Sequence, residues 1–173
     1  AQSNGASIDR ATWYGPHSGS YHLLATGGGE GLSSPATLQR TISTEGLRNI
    51  QVSYWRKDDG LESDEDSLTA YWYQDSTWVG LESDDGVGST WTQRVFDLTG
   101  TSASDNATFG LKFEFAGDHS SDEFYLDDVL VTGDPIGVSD VTVDFTSVAY
   151  SADEAVGTAT ITATLSQSTT EQI

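Results

Sequence analysis

Short runs in which apolar and polar residues alternate follow one another along most of the chain. Period-two alternation bounded by turn residues is typical of strands in β-sandwiches and barrels. The sequence therefore predicts an all-β protein, and its first 134 residues are expected to form a two-sheet antiparallel jelly-roll sandwich. The predicted strands are Tyr21–Ala25, Thr37–Ile42, Ile50–Arg56, Ser67–Tyr73, Trp78–Glu82, Gln93–Leu98, Thr108–Phe115 and Glu123–Thr132.

The alternation changes phase inside one run, FYLDDVLV. Phe124 and Leu126 share one parity, and the two valines that follow share the other. Both pairs can face the core only if one extra residue lies between them, which predicts a β-bulge at Asp127 and Asp128. A carboxylate at such a position must be solvated, hydrogen-bonded or bound to a metal. The run thus predicts a closing strand and a candidate cation site together.

The composition shifts near residue 134, after which the chain has no Lys or Arg and many Thr and Ala residues. We expect a sandwich at residues 1–134, a linker at 135–140 and a second β segment at 141–173. Two alternating strands are predicted in that segment, with Val141, Val143 and Phe145 on one and Ala159, Ile161, Ala163 and Leu165 on the other. Because two strands are not stable alone, the segment is either a truncated domain or a strand pair donated to a neighbouring chain.

Charge narrows the set of partners. The chain has 7 Lys and Arg residues against 27 Asp and Glu residues, for a formal net charge of −20. Such a field repels nucleic acid and anionic membrane surfaces, and it favours cation binding. No apolar run approaches the roughly 20 residues of a membrane helix, so no membrane insertion is expected. The absence of Cys and Met and the start at Ala1 suggest a processed segment of a secreted protein.

Several motifs resemble a known group of domains. HSGSYHLL (His17–Leu24) and FYLDDVLV resemble the early and closing strands of jelly-roll carbohydrate-binding modules and their MAM-like relatives. The segment Gly46–Leu81, with Asp66 before one strand and Trp78 at the start of the next, resembles their paired central strands. The resemblance covers about residues 12–134. It implies an extracellular module that binds a polysaccharide or a cell-surface glycan.

The tail from Val141 to Ile173 resembles the opening of a Calx-β domain. It contains an alternating strand, then Glu154 and Gly157, then a second alternating strand. This resemblance implies a multidomain, exported parent protein with a role in adhesion.

The resemblance to jelly-roll modules also implies a structural calcium ion. It assigns the ion to Asp127, with backbone oxygens near Ser18 and Gly19 and with Asp9 as the acidic residue of a first strand. The alternative is that Asp127 caps loop amides or faces water. A second acid-rich stretch lacks EF-hand spacing. We predict that it is a solvated hairpin loop in which Asp66 hydrogen-bonds the turn; its acids are Asp58, Asp59, Glu62, Asp64, Glu65 and Asp66.

Strand parity predicts a face that could bind sugars. Ile50, Val52, Tyr54, Leu68, Ala70 and Trp72 should point inward. That leaves Trp55, Tyr71 and Tyr73 outward, beside Gln51, Ser53, Lys112 and Glu114. Flat aromatic rings stack on the apolar faces of sugars while polar neighbours bind the hydroxyls. Alternatively, these aromatics contact another subunit or lie under a loop, and a parity shift of one residue would turn Trp72 outward instead.

Catalysis has little support in the sequence. His17, His22 and His119 are scattered, with no serine elbow and no zinc-type spacing. Asp127 and Asp128 are adjacent, and no second acid pairs with them across a cleft as glycosidases require. We therefore expect a non-catalytic extracellular binding or adhesion module, with glycan recognition as the specific hypothesis. The competing hypothesis is a structural subunit of an extracellular filament or adhesin stalk, assembled by β-strand addition through residues 138–173.

Overall fold

A computed structural model describes residues 6–28, 35–62, 66–84, 88–137, 143–146 and 161–165. The chain forms two compact units, Ala1–Ile136 and Gly137–Ile173. Within the described residues, no helix is long and apolar enough to cross a bilayer.

Nine strands are described in the first unit. They form a five-stranded sheet in the order β1-β2-β9-β4-β7 and a four-stranded sheet in the order β3-β8-β5-β6, and the described strand pairs are all antiparallel. The two sheets confirm the predicted all-β jelly-roll sandwich. The strands are β1 (Ser7–Ala11), β2 (His22–Thr26), β3 (Ala36–Thr41), β4 (Leu47–Asp59), β5 (Ser67–Gln74), β6 (Thr77–Asp84), β7 (Thr92–Asp97), β8 (Gly110–Ala116) and β9 (Glu123–Pro135).

Strand β1 is the main element that the sequence pattern missed. It lies at the edge of the five-stranded sheet, pairs only with β2 among the described strands, and leaves most of its residues exposed or half-buried. An edge strand of this kind shows little apolar alternation, so its sequence carries no clear signal. Strand β4 also runs further than predicted, to Asp59, because it pairs with β9 along nearly its whole length.

The core lies between the two sheets and follows the predicted parity. Ile50, Val52 and Tyr54 of β4 are buried, and they face Leu68, Ala70 and Trp72 of β5. Trp72 is only 3% exposed, so the alternative register that would turn this ring outward is wrong. Burying a large apolar side chain of this kind stabilises the fold by about 1.5–3 kcal/mol. Phenylalanines of β8 and β9 complete the layer: Phe113, Phe115 and Phe124.

A buried polar group joins the sheets within this core. Glu82 of β6 forms an ion pair with Arg56 of β4, with 3.2 Å between Nε and Oε1. It forms a second ion pair with Arg94 of β7, with 2.7 Å between Nε and Oε2. The Tyr54 hydroxyl donates a hydrogen bond to the same carboxylate. Burial, and then the neighbouring Glu82 carboxylate, raise the pKa of Tyr54 far above its usual value, so its hydroxyl stays a donor. One carboxylate of β6 therefore binds three groups from two strands of the other sheet, β4 and β7.

The predicted bulge in β9 is present. Ser53 pairs with Leu130 and Trp55 with Asp127, so the single residue Tyr54 of β4 lies opposite two residues of β9, Asp128 and Val129. The bulge therefore lies one residue further along the chain than the predicted Asp127–Asp128. Asp128 is the residue in the left-handed region, with φ of 49°. Because of the extra residue, Val131 packs against the core after the phase change, as predicted. Val129 is exposed rather than buried, and it lies within the bulge itself.

Two short strands are described in the second unit. Strand β10 (Val143–Phe145) pairs antiparallel with β11 (Ala163–Leu165), so that Val143 lies opposite Leu165. Both strands fall within the predicted alternating runs. Ile161, which was predicted in the second run, precedes β11 and is 59% exposed. Val141, Glu154, Gly157 and Ala159 lie outside the described residues. The Calx-β-like segment, the linker at 135–140 and strand addition through residues 138–173 therefore stay predictions.

Candidate functional site

The predicted sugar-binding residues lie on two different faces of the sandwich. Tyr71 and Tyr73 of β5 share the outer face of the four-stranded sheet with Lys112 and Glu114 of β8. Gln51, Ser53 and Trp55 of β4 belong to the five-stranded sheet. The expectation that all of them line one surface is wrong, because the chain crosses from one sheet to the other between β4 and β5. Strand parity predicts which way a side chain points but not the sheet that holds it.

Trp55 is covered by the connection between β1 and β2. The His17 imidazole stacks on the indole, with 3.7 Å between ring centroids and an interplanar angle of 15°. His17 Nδ1 lies 2.7 Å from Asp128 Oδ2, and that contact holds the imidazole over the indole. One face of the Trp55 ring is therefore occupied by His17 and cannot stack on a sugar. For Trp55 this agrees with the alternative that the outward aromatics lie under a loop.

On the outer face of the four-stranded sheet, Tyr73 and Trp78 form an aromatic pair. They are opposite each other in the register of β5 and β6, and their ring centroids are 5.0 Å apart. The turn between the two strands has positive φ at Asp75 and Ser76, as a tight type I′ hairpin requires. The turn geometry thus fixes the register that puts the two rings side by side. Gly110 of β8 lies directly beside the two rings: a Cβ at this position would be 3.5 Å from the Trp78 ring. Because glycine has no side chain, it does not cover the aromatic pair.

A groove with two compartments runs past this pair. The first has a volume of about 380 Å³ and is lined by Gln39, Thr41, Tyr73, Trp78, Thr108 and Gly110. The second, of about 480 Å³, shares Tyr73 and Thr108 and extends over serine, aspartate and asparagine side chains, among them Ser102, Asp105 and Asn106. The groove therefore combines a flat aromatic side with hydroxyl, amide and carboxylate groups. Trp78, Gln39, Thr41 and Thr108 were not predicted as binding residues.

Lys112 lies between the aromatic rings and an acid. Its ammonium is 4.1 Å from the ring centroid of Tyr71 and 5.1 Å from that of Trp78. It also pairs with Glu114, at 3.0 Å between Nζ and Oε1. These contacts hold the Lys112 side chain against the sheet and leave Tyr71 with a cation on one ring face.

On the opposite face, the β1–β2 connection meets the bulge of β9. Asp127 Oδ2 accepts a hydrogen bond from the Ser18 backbone N–H at 3.1 Å, and Oδ1 accepts one from the Asp128 N–H at 2.8 Å. The Ser18 hydroxyl donates to Asp128 Oδ1 at 2.5 Å. Hydrogen bonds from Ser18 and His17 lower the pKa of Asp128. Both Asp127 oxygens thus face donors, and Ser18 offers Asp127 an N–H rather than a carbonyl, which fits an amide cap better than a calcium ligand.

The other two predicted metal ligands lie near this bulge. Gly19 has a φ of 61° in the same connection. Asp9 is exposed on β1, opposite Leu24 of β2, and it lines an apolar groove of about 530 Å³ together with Asp127. Calcium at Asp127, Ser18, Gly19 and Asp9 stays a prediction.

A second acidic cluster has a geometry closer to that of a cation site. Each residue of the set Glu62, Asp118, His119 and Asp122 offers one ligand atom, and these atoms lie within 4.8 Å of one another. Asp66 adjoins the cluster and caps it: its Oδ2 accepts the Glu62 N–H at 2.9 Å, the predicted bond to the turn, and its Oδ1 accepts the Asp118 N–H at 3.1 Å. Asp64 and Glu65 of the same stretch lie outside the described residues.

Burial makes this cluster electrostatically costly for anions. Asp66 and Asp122 are both buried. Burial is the main cause that raises the pKa of Asp122 above its usual value, and the nearby Asp66 raises it further. The pKa of Glu62 is also raised, chiefly by its hydrogen bond with Asp66. A divalent cation is a group that could neutralise such a set of oxygens.

No family profile matches the chain, and no curated protein matches it. Several solved structures do share its fold. The carbohydrate-binding module TmCBM61, in complex with beta-1,4-galactotriose, is 10% identical over 77% of this chain and 85% of that chain, with a TM-score of 0.56. A family 16 carbohydrate binding module-2 is 14% identical over 74% of this chain and 86% of that chain, with a TM-score of 0.51.

A third structure contains the CBM22-1 and GH10 modules of the Clostridium thermocellum endo-1,4-beta-D-xylanase 10B, complexed with xylohexaose. It is 16% identical over 79% of this chain and 26% of that chain, with a TM-score of 0.51. Identities this low indicate a common fold and nothing finer. The chain is therefore similar in fold to carbohydrate-binding modules, and the jelly-roll sandwich is the property that it shares with them.

Proposed function

We propose that this protein is a non-catalytic extracellular module that binds a glycan in the groove on the outer face of the four-stranded sheet. The observation that carries the proposal is the Tyr73–Trp78 pair beside a polar-lined groove. The two rings would stack on the apolar faces of sugar units, and Gln39, Thr41 and Thr108 would bind hydroxyl groups. The fold shared with carbohydrate-binding modules supports the same assignment.

The shape and charge of the groove restrict the ligand. Tyr73 and Thr108 line both compartments, whose volumes are about 380 and 480 Å³, so a ligand that fills both is longer than one sugar unit. A net charge of −20 repels acidic polysaccharides, which favours a neutral chain. The first compartment offers hydroxyl and amide groups and, among its described lining residues, no carboxylate. Glycosidic cleavage needs paired carboxylates, and Asp75 and Asp105 line only the second compartment, so the compartment beside the Tyr73–Trp78 pair suits binding.

Retention on immobilised polysaccharides tests the proposal. Tyr73→Ala and Trp78→Ala should each weaken binding to galactan or xylan at least about tenfold, since about 1.4 kcal/mol of lost stacking corresponds to that factor. Tyr21→Ala is the matched control, because Tyr21 is an exposed aromatic residue that lines neither compartment. Equal retention of all three variants, or no binding of the wild type across a broad glycan array, would contradict the proposal.

We also propose that calcium stabilises the sandwich. The four converging ligand atoms of Glu62, Asp118, His119 and Asp122 favour that cluster over Asp127. Backbone N–H groups do not separate the two sites, since Asp122 Oδ2 accepts the His119 N–H at 2.6 Å and both Asp127 oxygens accept backbone N–H groups. Addition of calcium should raise the melting temperature of chelator-treated protein. The increase should disappear in Asp122→Asn and persist in Asp127→Asn. Loss of the increase in Asp127→Asn alone would assign the ion to the bulge, and no increase in the wild type would exclude a stabilising ion.

A further inference from the structure

Two large aromatic side chains are presented to solvent on the connection between β1 and β2. Trp13 is 55% exposed and Tyr14 is 61% exposed, although they are adjacent in a short turn. This turn lies on the outer side of the five-stranded sheet, and the groove that contains Tyr73 lies on the other sheet. Adjacent exposed rings are costly to leave in water, so they call for an explanation beyond packing.

The backbone that carries these rings is held in place. Lys57 Nζ, which is itself buried, donates to the Tyr14 carbonyl at 2.7 Å. The Trp91 indole N–H donates to the Gly15 carbonyl at 3.1 Å. Tyr14 has a φ of 65°, a conformation that an aromatic residue adopts only when its surroundings impose it. The exposure of the rings therefore belongs to a fixed conformation of the turn.

A small polar pocket lies next to Tyr14. Its volume is about 140 Å³, roughly that of five water molecules, and it is lined by Tyr14, Lys57, Asp58, Asp59, Ser89 and Tyr125. The Tyr14 ring stands edge-on to Tyr125, at 5.9 Å between centroids and 72° between planes. Carboxylate and hydroxyl oxygens thus lie beside an aromatic ring that is open to solvent, which is the arrangement that a polyhydroxylated ring requires.

The size of the patch favours a small ligand over a protein. Two aromatic side chains can bury about 300–500 Å² together, whereas a specific protein interface buries about 1,200–2,000 Å² in total. The charged and hydroxyl groups around the pocket also fit a polyhydroxylated ligand better than an apolar one. A single sugar unit matches both the area and the chemistry.

We propose that Trp13, Tyr14 and the adjoining pocket form a second sugar-binding site, which takes one terminal or branching sugar unit. Tyr14 stacks on the apolar face of the ring, Asp59 and Ser89 bind its hydroxyls, and Trp13 extends the contact. The site lies on the other sheet from the groove and does not depend on that groove binding a glycan. If both sites are active, one domain can bridge two glycan chains, which raises its avidity for a polysaccharide surface.

The test uses the full chain with Tyr73→Ala and Trp78→Ala, so that the groove contributes nothing. Methyl β-D-galactopyranoside, methyl β-D-glucopyranoside, methyl β-D-xylopyranoside and N-acetylglucosamine are titrated one at a time, and binding is followed by NMR. We expect saturable shifts of the Trp13 indole N–H and the Tyr14 amide with at least one of these sugars. Adding Trp13→Ala and Tyr14→Ala should reduce the affinity at least tenfold.

Two results would overturn the proposal. One is the absence of saturable shifts at Trp13 and Tyr14 with all four sugars. The other is an unchanged affinity in the variant that lacks both aromatics. The methyl resonances of Ile50 and Val52, in the core between the two sheets, serve as the folding control, since they should be the same in both proteins. The two sites are tested by different measurements. Polysaccharide retention that is lost in Tyr73→Ala tests the groove, and sugar-dependent shifts at Trp13 test the second site, so either proposal can fail while the other stands.

Discussion

Replacing Glu82 by Gln should destabilise the sandwich more than any exposed charge substitution. Glu82 is 5% exposed and pairs with Arg56, which is 2% exposed and lies on the other sheet. The variant keeps the size of the side chain but removes the negative charge that faces the buried Arg56 guanidinium. Removing one partner of a buried pair costs about 3–5 kcal/mol, because the remaining charge stays desolvated. Arg94 is 39% exposed, so water compensates its loss in part.

The magnitude can be measured by urea denaturation. A typical domain has a total stability of about 5–15 kcal/mol, so this loss would be a large fraction of it and would lower the melting temperature by roughly 10 °C or more. Glu114→Gln is the matched control. Its pair with Lys112 is partly open to water, with side-chain exposures of 13% for Lys112 and 30% for Glu114, so the loss of this pair should cost less than that of the buried Glu82 pair. If Glu82→Gln cost no more than Glu114→Gln, the inter-sheet role of the carboxylate would be refuted.

Three further predictions concern stability. Burial, and then the Lys57 ammonium, lower the pKa of His22 in the folded state, so the unfolded chain binds more protons. Stability should therefore fall as pH drops below about 6.5, and His22→Phe should remove this slope in urea titrations between about pH 5 and 7. A flat wild-type profile would disprove it. Gly27→Ala should cost about 1–3 kcal/mol, since its Cβ would lie 2.1 Å from the His119 carbonyl oxygen. Gly80→Ala, which meets nothing within 4 Å, should be neutral, and equal melting temperatures would contradict this contrast. Asp128→Ala should lower the melting temperature by a few degrees, because it removes the contacts with His17 and Ser18, and an unchanged value would show that the connection is held otherwise.

The alternation of apolar residues was sufficient to predict the sandwich and much of its core. It predicted the inward set on β4 and β5 and the bulge in β9, because burial on one face imposes parity and a phase change needs an extra residue. It could not reveal β1, whose edge position removes the pattern, and it mispredicted Val129, which lies within the bulge and is exposed. The alternation within one strand shows which side chains face the core, but it does not show which other strand pairs with it.

The same limit explains the candidate site. Tyr71 and Tyr73 were predicted to point outward, but Trp55 was grouped with them although it lies on the other sheet under His17. Trp78 was missed as a binding residue because it lies beside Tyr73 only in one particular register of β5 against β6, and the alternation of each strand does not specify that register. The Asp75–Ser76 dipeptide between two alternating runs was the available signal, since a two-residue hairpin makes Tyr73 and Trp78 neighbours.

The location of bound glycan tests the proposed function most directly. An isotope-labelled sample of the full chain, titrated with β-1,4-galactotriose and with xylohexaose, would report the contact residues by chemical-shift changes. Binding in the groove predicts the largest saturable shifts at Tyr73, the Trp78 indole N–H, Thr108 and Gly110, and small shifts at Gln51 and Ser53. Shifts confined to the five-stranded sheet, or none with either oligosaccharide or with the glycans that an array identifies, would contradict a binding groove on the four-stranded sheet.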